Sequence, residues 1–233
     1  MKRLLDIFVS FFGLLALSPI LLPVMFFVWK EDKGSPFYRA PRVGKDGKIF
    51  RMLKMRSMRL NADKTGVNST SASDPRITQV GHFIRKWKID EITQLWNVLV
   101  GDMSLVGPRP NVKVETDAYN ETERQLLSID QGITDFASIV YSDEGDILNG
   151  ASDPDYAYHH LIRPGKIKLG LFYVHNRTFI GDICIILLTL VAPFSRETAL
   201  NGVQKLLKSM GADDNLLEIA SRKTPLIING ATR

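Results

Sequence analysis

Arg85-Lys86-Trp87-Lys88-Ile89-Asp90-Glu91-Ile92-Thr93-Gln94-Leu95-Trp96-Asn97-Val98-Leu99-Val100 is the stretch on which the reading of this chain turns. After Glu91 the apolar residues recur mostly three or four apart, the period of a helix that buries one face. Asp90 and Glu91 therefore stand at or just inside a helix N-terminus, where the positive end of the dipole stabilises carboxylates and draws in anions. Adjacent carboxylates can divide the work, one attacking while the other holds a metal. Such chemistry suits a phosphorylated substrate. The plain alternative is an ordinary acidic first turn, which many helices carry.

The rest of the chain is basic. Thirty Lys and Arg against 25 Asp and Glu give a formal net charge of +5 over 233 residues. That balance favours anionic partners such as nucleotides, nucleic acid or acidic lipid head groups. Residues 33–59 concentrate it, with nine Lys or Arg and one acid, Asp46. Within them Pro36–Arg39 reads as a strand and Gly44-Lys45-Asp46-Gly47 as a turn. From Lys48 to Met58, basic and apolar residues alternate as in a half-buried strand with a cationic face. That face is either a plain solvated surface or a phosphate or head-group surface. The single cysteine, Cys184, lies in an apolar run and excludes a disulfide-built fold.

Lys2 and Arg3 precede an apolar stretch from Leu4 to Trp29. Roughly 20 such residues cross a bilayer core. A cleaved signal peptide fits poorly, because Pro19 follows directly on the only small-residue candidate site. A single span and a re-entrant hairpin both remain. Ser18-Pro19 lies mid-segment with Pro23 close behind, and proline removes a helix hydrogen bond and kinks the helix. The serine hydroxyl can satisfy a freed carbonyl. Cations on both flanks lean towards a hairpin with both ends in the cytoplasm.

Further along, residues 61–75 read as a polar loop, a candidate lid. Residues 102–110 form a rigid loop that presents Arg109 between Pro108 and Pro110. Residues 112–127 read as a charged helix, 183–192 as an apolar helix too short to span, and 200–210 as an amphipathic helix. His159 and His160 are adjacent and lack spaced partner ligands for a metal.

In their order these features resemble the bacterial sugar transferases, the monotopic polyprenyl-phosphate phosphoglycosyl transferases. The matching residues are Ser18-Pro19, Phe50-Arg51-Met52-Leu53-Lys54-Met55-Arg56-Ser57-Met58, the run Asp90–Leu99 and Gly101-Asp102-Met103-Ser104-Leu105-Val106-Gly107-Pro108-Arg109-Pro110. Weaker matches are Gly132-Ile133-Thr134 and Asp182–Thr189. The resemblance implies an α-rich α/β monotopic membrane protein. It would have a re-entrant N-terminal helix hairpin broken at Ser18 and Pro19, surface amphipathic helices and a small β-sheet. The implied segments are an anchor over 1–30, a catalytic domain over 31–195 and a C-terminal helix and tail over 196–233.

The implied reaction transfers a sugar 1-phosphate from a UDP-sugar to undecaprenyl phosphate and releases UMP. Asp90 would be the nucleophile, and Glu91 with Asp90 would bind Mg²⁺. Lys54, Arg56, Arg85 and Arg109, with Pro108 and Pro110 shaping the loop, would contact phosphates. The implied location is the cytoplasmic face of the bacterial inner membrane, among phospholipids, and a homodimer is one expected assembly. No nucleic-acid motif is present. A membrane module that binds nucleotide sugars or lipid phosphates without turnover is the alternative reading. Departures from the family pattern are Gln131 and Asp135 around Gly132-Ile133-Thr134, and Leu171-Phe172-Tyr173 before the late apolar helix. A minimal, stand-alone member is expected.

Overall fold

The structure is a computed structural model that describes residues 1–62, 74–149 and 151–223. The chain divides into two compact units, one of residues 1–65 and 75–133, the other of 66–74 and 134–233. Most of the loop expected over 61–75, and the end of the tail, lie outside the described residues.

The first unit opens with α1, Lys2–Asp32. It runs as one helix across Pro19 and Pro23 rather than as two arms separated by a turn. A local repair explains why. Pro19 has no N–H for the Leu15 carbonyl four residues back, and the Ser18 hydroxyl donates to that carbonyl instead, at 2.7 Å. Asp6, Ser10, Leu14, Leu17, Leu21, Val24 and Val28 are wholly or partly buried. They follow one another by steps of three or four and form a continuous seam down one side. The opposite side exposes Leu4, Phe8, Phe12, Leu15, Leu22 and Phe26.

Both ends of α1 are tied to the same unit. At the start, Lys2 donates to Val106 O at 2.8 Å and Arg3 to Val98 O and Leu99 O. Buried Asp6 accepts from Leu105 N at 3.0 Å and Ser104 Oγ at 3.2 Å. At the far end the Arg56 guanidinium grips Asp32 and donates to Ser35 O at 2.7 Å.

Strands β1 (Phe37–Val43) and β2 (Ile49–Met55) form an antiparallel hairpin around the expected turn. Its register pairs Tyr38 with Lys54, Ala40 with Met52 and Arg42 with Phe50. Helices α2 (Gln79–Lys86), α3 (Ile89–Ile92) and α4 (Leu95–Val100) follow. Ile84 and Ile89 close a core with Met55 and the seam residues Leu21, Val24 and Val28. Lys88, with a left-handed φ of 55°, separates α2 from α3. The single helix suggested by the spacing after Glu91 is broken at Thr93, which turns its hydroxyl back to Asp90 O at 3.1 Å.

Strand β3 (Ser104–Val106) pairs with β4 (Gly132–Thr134), a second two-stranded sheet where one small sheet was expected. Between them the charged segment 112–127 forms α5 (Lys113–Asp117) and a separate 3₁₀ turn over Glu123–Leu127 rather than one helix. Asn120 and Glu123 bond each other's backbone N–H groups at 2.9 and 3.2 Å, a reciprocal cap that starts the second turn afresh.

The second unit is helical, with α6 (Phe136–Val140), α7 (Glu144–Ile147), α8 (Pro154–Ala157), α9 (Arg163–Asn176), α10 (Phe179–Val191), α11 (Arg196–Ser209) and α12 (Asp214–Ser221). Asp135 caps α6 by accepting from Ser138 N at 2.7 Å. Buried Tyr173 donates to Asp182 at 2.6 Å and joins α9 to α10. His159 and His160 sit in a π-helical turn, where His160 stacks on Tyr156 with centroids 3.8 Å apart.

Candidate active site

The first unit gathers most of the expected site residues. Asp90 and Glu91 are the second and third residues of α3, a helix of only four residues. One turn sums few peptide dipoles, so burial and nearby cations, not the macrodipole, control these carboxylates. Lys54 Nζ lies 4.0 Å from Asp90 Oδ2. Arg109 grips Glu91 through two bonds, Nη2 to Oε1 at 2.7 Å and Nη1 to Oε2 at 3.3 Å.

Local chemistry fixes each partner. β2 turns its free edge at Leu53 towards α3 and α4, where side chains replace a neighbouring strand. Leu53 N donates to Asn97 Oδ1 at 2.7 Å, and Thr93 Oγ1 donates to Leu53 O at 3.1 Å. Asn97 Nδ2 also donates to Arg51 O at 2.9 Å. Because Thr93 touches both Leu53 and Asp90, it holds the lysine strand and the acidic turn in register.

Arg109 is set by a tight backbone crossing. A Cβ on Gly132 would lie 2.1 Å from Gly107 N, and one on Gly107 would lie 2.4 Å from Asp130 O. Glycine is required at both positions. Pro108 and Pro110 are buried while Arg109 between them is half-exposed. Its Nη1 also donates to Ile133 O at 3.2 Å.

The electrostatics separate the two acids. Burial, only partly opposed by Lys54, raises the Asp90 pKa above the usual carboxylate value. Burial also penalises ionised Glu91, but Arg109, Lys88 and Lys54 together outweigh it and hold that group at about 2. Burial, with repulsion from Arg109, lowers Lys54 to about 8. The surroundings thus favour the ionised form of Glu91 and, through burial, the neutral form of Asp90.

Arg85 donates its Nε to Ser57 Oγ at 3.0 Å and contributes positive potential at Asp90. Arg56, expected among the phosphate contacts, is 8% exposed and committed to Asp32, Ser35 O and Val28 O. It anchors the end of α1. Arg42 was not singled out in the sequence, yet it contributes to the field at Lys54. The strand alternation that exposed Lys54 carries the same signal for Arg42, once the hairpin register is known.

Asp90 and Glu91 offer the hard oxygen donors that Mg²⁺ prefers. Among the described residues no third acidic, His or Cys ligand joins them. That donor set fits an ion held by one or two carboxylates with substrate phosphates completing its shell. Both Glu91 oxygens face Arg109, so such an ion would share Glu91 with Arg109 or displace it.

The site is thus an acid pair flanked by cations, on a unit built around an apolar helix. Residues 1–196 match the bacterial sugar transferase family, and the chain belongs to it. The chain is similar to the galactosyl transferase CpsE of Streptococcus agalactiae, with 38% identity over 203 residues, covering 81% of this chain and 41% of that protein. Similarity to the UDP-glucose:undecaprenyl-phosphate glucose-1-phosphate transferase of Escherichia coli is 32% over 207 residues, 85% of this chain and 41% of the relative. The exopolysaccharide production protein ExoY of Sinorhizobium fredii is 33% identical over 206 residues, 82% of this chain and 84% of that protein. The chain therefore spans about two fifths of the first two relatives and most of the third.

Proposed function

We propose that this protein transfers a sugar 1-phosphate from a UDP-sugar to undecaprenyl phosphate. The observation that carries this reading is the division of the acid pair. Arg109 locks Glu91, while Asp90 stands 13% exposed beside Lys54. In the proposed reaction an Asp90 carboxylate oxygen attacks the phosphorus attached to the sugar. The bond to the bridging oxygen breaks, and UMP leaves with the electron pair. The lipid phosphate then attacks the same phosphorus, frees the Asp90 carboxylate and yields the lipid diphosphate sugar. Two steps let one small site serve two bulky substrates in turn.

Lys54, Arg109 and Arg85 offset the repulsion between an anionic nucleophile and a diphosphate, and arginine adds forked donors suited to phosphate. Mg²⁺, held by Glu91 with Asp90, would supply further neutralisation of the diphosphate.

We read the chain as monotopic, on the cytoplasmic face of the inner membrane and in contact with its phospholipids. α1 is roughly 46 Å long at 1.5 Å per residue, and its two ends are bonded to one unit. That docking supports both ends lying on one side, with the exposed apolar side of α1 in lipid. Cysteines placed at residues 2 and 35 should label from the same side, and labelling from opposite sides would establish a true span.

The activity test is UMP release from purified protein given undecaprenyl phosphate, Mg²⁺ and a panel of UDP-sugars. We expect release with a particular sugar and its loss, by at least about 10³-fold, in Asp90→Asn. Full turnover by Asp90→Asn would exclude the nucleophile assignment.

A further inference from the structure

Arg42 occupies the sixth position of β1. Directly paired residues of an antiparallel hairpin share a face, and so do alternate residues along each strand. Tyr38, Ala40 and Arg42 of β1 therefore share one face with Phe50, Met52 and Lys54 of β2. Arg42 and Lys54, at opposite ends of that face, flank buried Ala40 and Met52.

A second restraint brings Arg42 to the arginine loop. The next residue, Val43, donates its N–H to Asn111 O at 2.9 Å. Asn111 lies two residues beyond Arg109, with rigid Pro110 between them, so the end of β1 is fastened to the loop that carries Arg109. The charges bear this out, since Arg42 and Arg109 repel each other and Arg42 also repels Lys54.

The cations differ in what answers them. Lys54 faces Asp90 and Arg109 faces Glu91. Among the described residues, Arg42 makes one hydrogen bond, from Nη1 to Pro41 O at 2.8 Å, and no ion pair. A half-buried guanidinium beside another, with Tyr38 as its favourable electrostatic neighbour and no carboxylate of its own, is a ready partner for an anion.

We propose that Arg42 is a phosphate-binding residue of this site, forming with Arg109 a guanidinium pair that receives a substrate phosphate. The inference rests on the phosphotransfer reading above. The phosphate belongs either to the donor's diphosphate or to the lipid's monophosphate, and the two sources separate kinetically. In a two-step exchange, kcat/KM for each substrate reports its own half-reaction.

The test compares detergent-solubilised full-length protein with Arg42→Gln, Arg42→Lys and, as a control on the other face of the same strand, Arg39→Gln. Inorganic pyrophosphate is the direct probe, followed by calorimetry. Arg42→Gln should weaken its binding at least tenfold, Arg42→Lys less, and Arg39→Gln by under twofold. In turnover, a tenfold or greater fall in kcat/KM confined to the UDP-sugar assigns Arg42 to the donor. A fall confined to undecaprenyl phosphate assigns it to the acceptor.

Unchanged pyrophosphate binding and unchanged kcat/KM values in Arg42→Gln would overturn the proposal, as would absent pyrophosphate binding by folded wild type. A lowered melting temperature alone would make Arg42 a packing residue. Arg42-dependent pyrophosphate binding by a protein that releases no UMP with any UDP-sugar would sink the transferase reading and leave this site standing.

Discussion

Lys54 should set the alkaline limit of the reaction. Burial, assisted by repulsion from Arg109, has lowered its pKa from 10.5 to about 8. On the proposed mechanism the free enzyme is competent when Lys54 is charged and Asp90 ionised, so kcat/KM for the UDP-sugar should rise through the elevated Asp90 pKa and fall through about 8. At pH 9 roughly one lysine in eleven keeps its proton, a loss of about tenfold. Unfolding is not the cause. The native state binds fewer protons than the unfolded chain between about 8 and 10.5, so the burial penalty, on the order of 3 kcal/mol, is relieved as pH rises through that window. The assay is initial UMP release at low UDP-sugar from pH 6 to 9.5. Lys54→Arg keeps its charge throughout, and Lys54→Met has no proton to lose. Both should lose the limb near 8, with a lower plateau in Lys54→Met. A limb near 8 that persists in both variants would refute the reasoning. Bound diphosphate restores negative charge beside Lys54, so the corresponding limb of kcat should lie at higher pH.

Two further perturbations test how the site is held. Asp6→Ala removes the acceptor for Leu105 N and Ser104 Oγ at the start of β3. It should cost about 1–3 kcal/mol, read as a lower thermal midpoint in detergent, while Asp6→Asn keeps an acceptor oxygen and should lose less. Gly132→Ala places a Cβ 2.1 Å from Gly107 N. The backbones must part and carry Arg109 from Glu91, so activity should fall by over tenfold; a fully active Gly132→Ala would show that the crossing does not position Arg109.

The acidic pair, the cationic strand and the proline-framed arginine were legible in the sequence because each depends on neighbours within a few residues. Which cation meets which anion was not. Arg56 lies two residues past Lys54 and looks equivalent, yet it is just beyond the end of β2 and is captured by Asp32 from a helix some 24 residues earlier. Arg42 was overlooked for the converse reason, since its place on the same face as Lys54 and next to the Arg109 loop depends on hairpin register and on the Val43–Asn111 bond. Residues 92–100 have a helical period, but the Thr93 back-bond to Asp90 O ends α3 and α4 starts afresh at Leu95. In α1, apolar residues on all sides conceal the buried seam. Its polar members Asp6 and Ser10 mark it, opposite to the usual rule that polar residues face outward.

That seam makes α1 a wall of the first unit as much as an anchor for it. A chain trimmed ahead of residue 33 would uncover Met55, Ile84 and Ile89, and would leave Arg56 without its carboxylate. Cutting away the greasy segment is therefore a poor route to a soluble enzyme. The same joint ties Asp90 to α1, so on the proposed placement the lipid that seats α1 would also set the height of the carboxylate that a membrane-borne phosphate must reach.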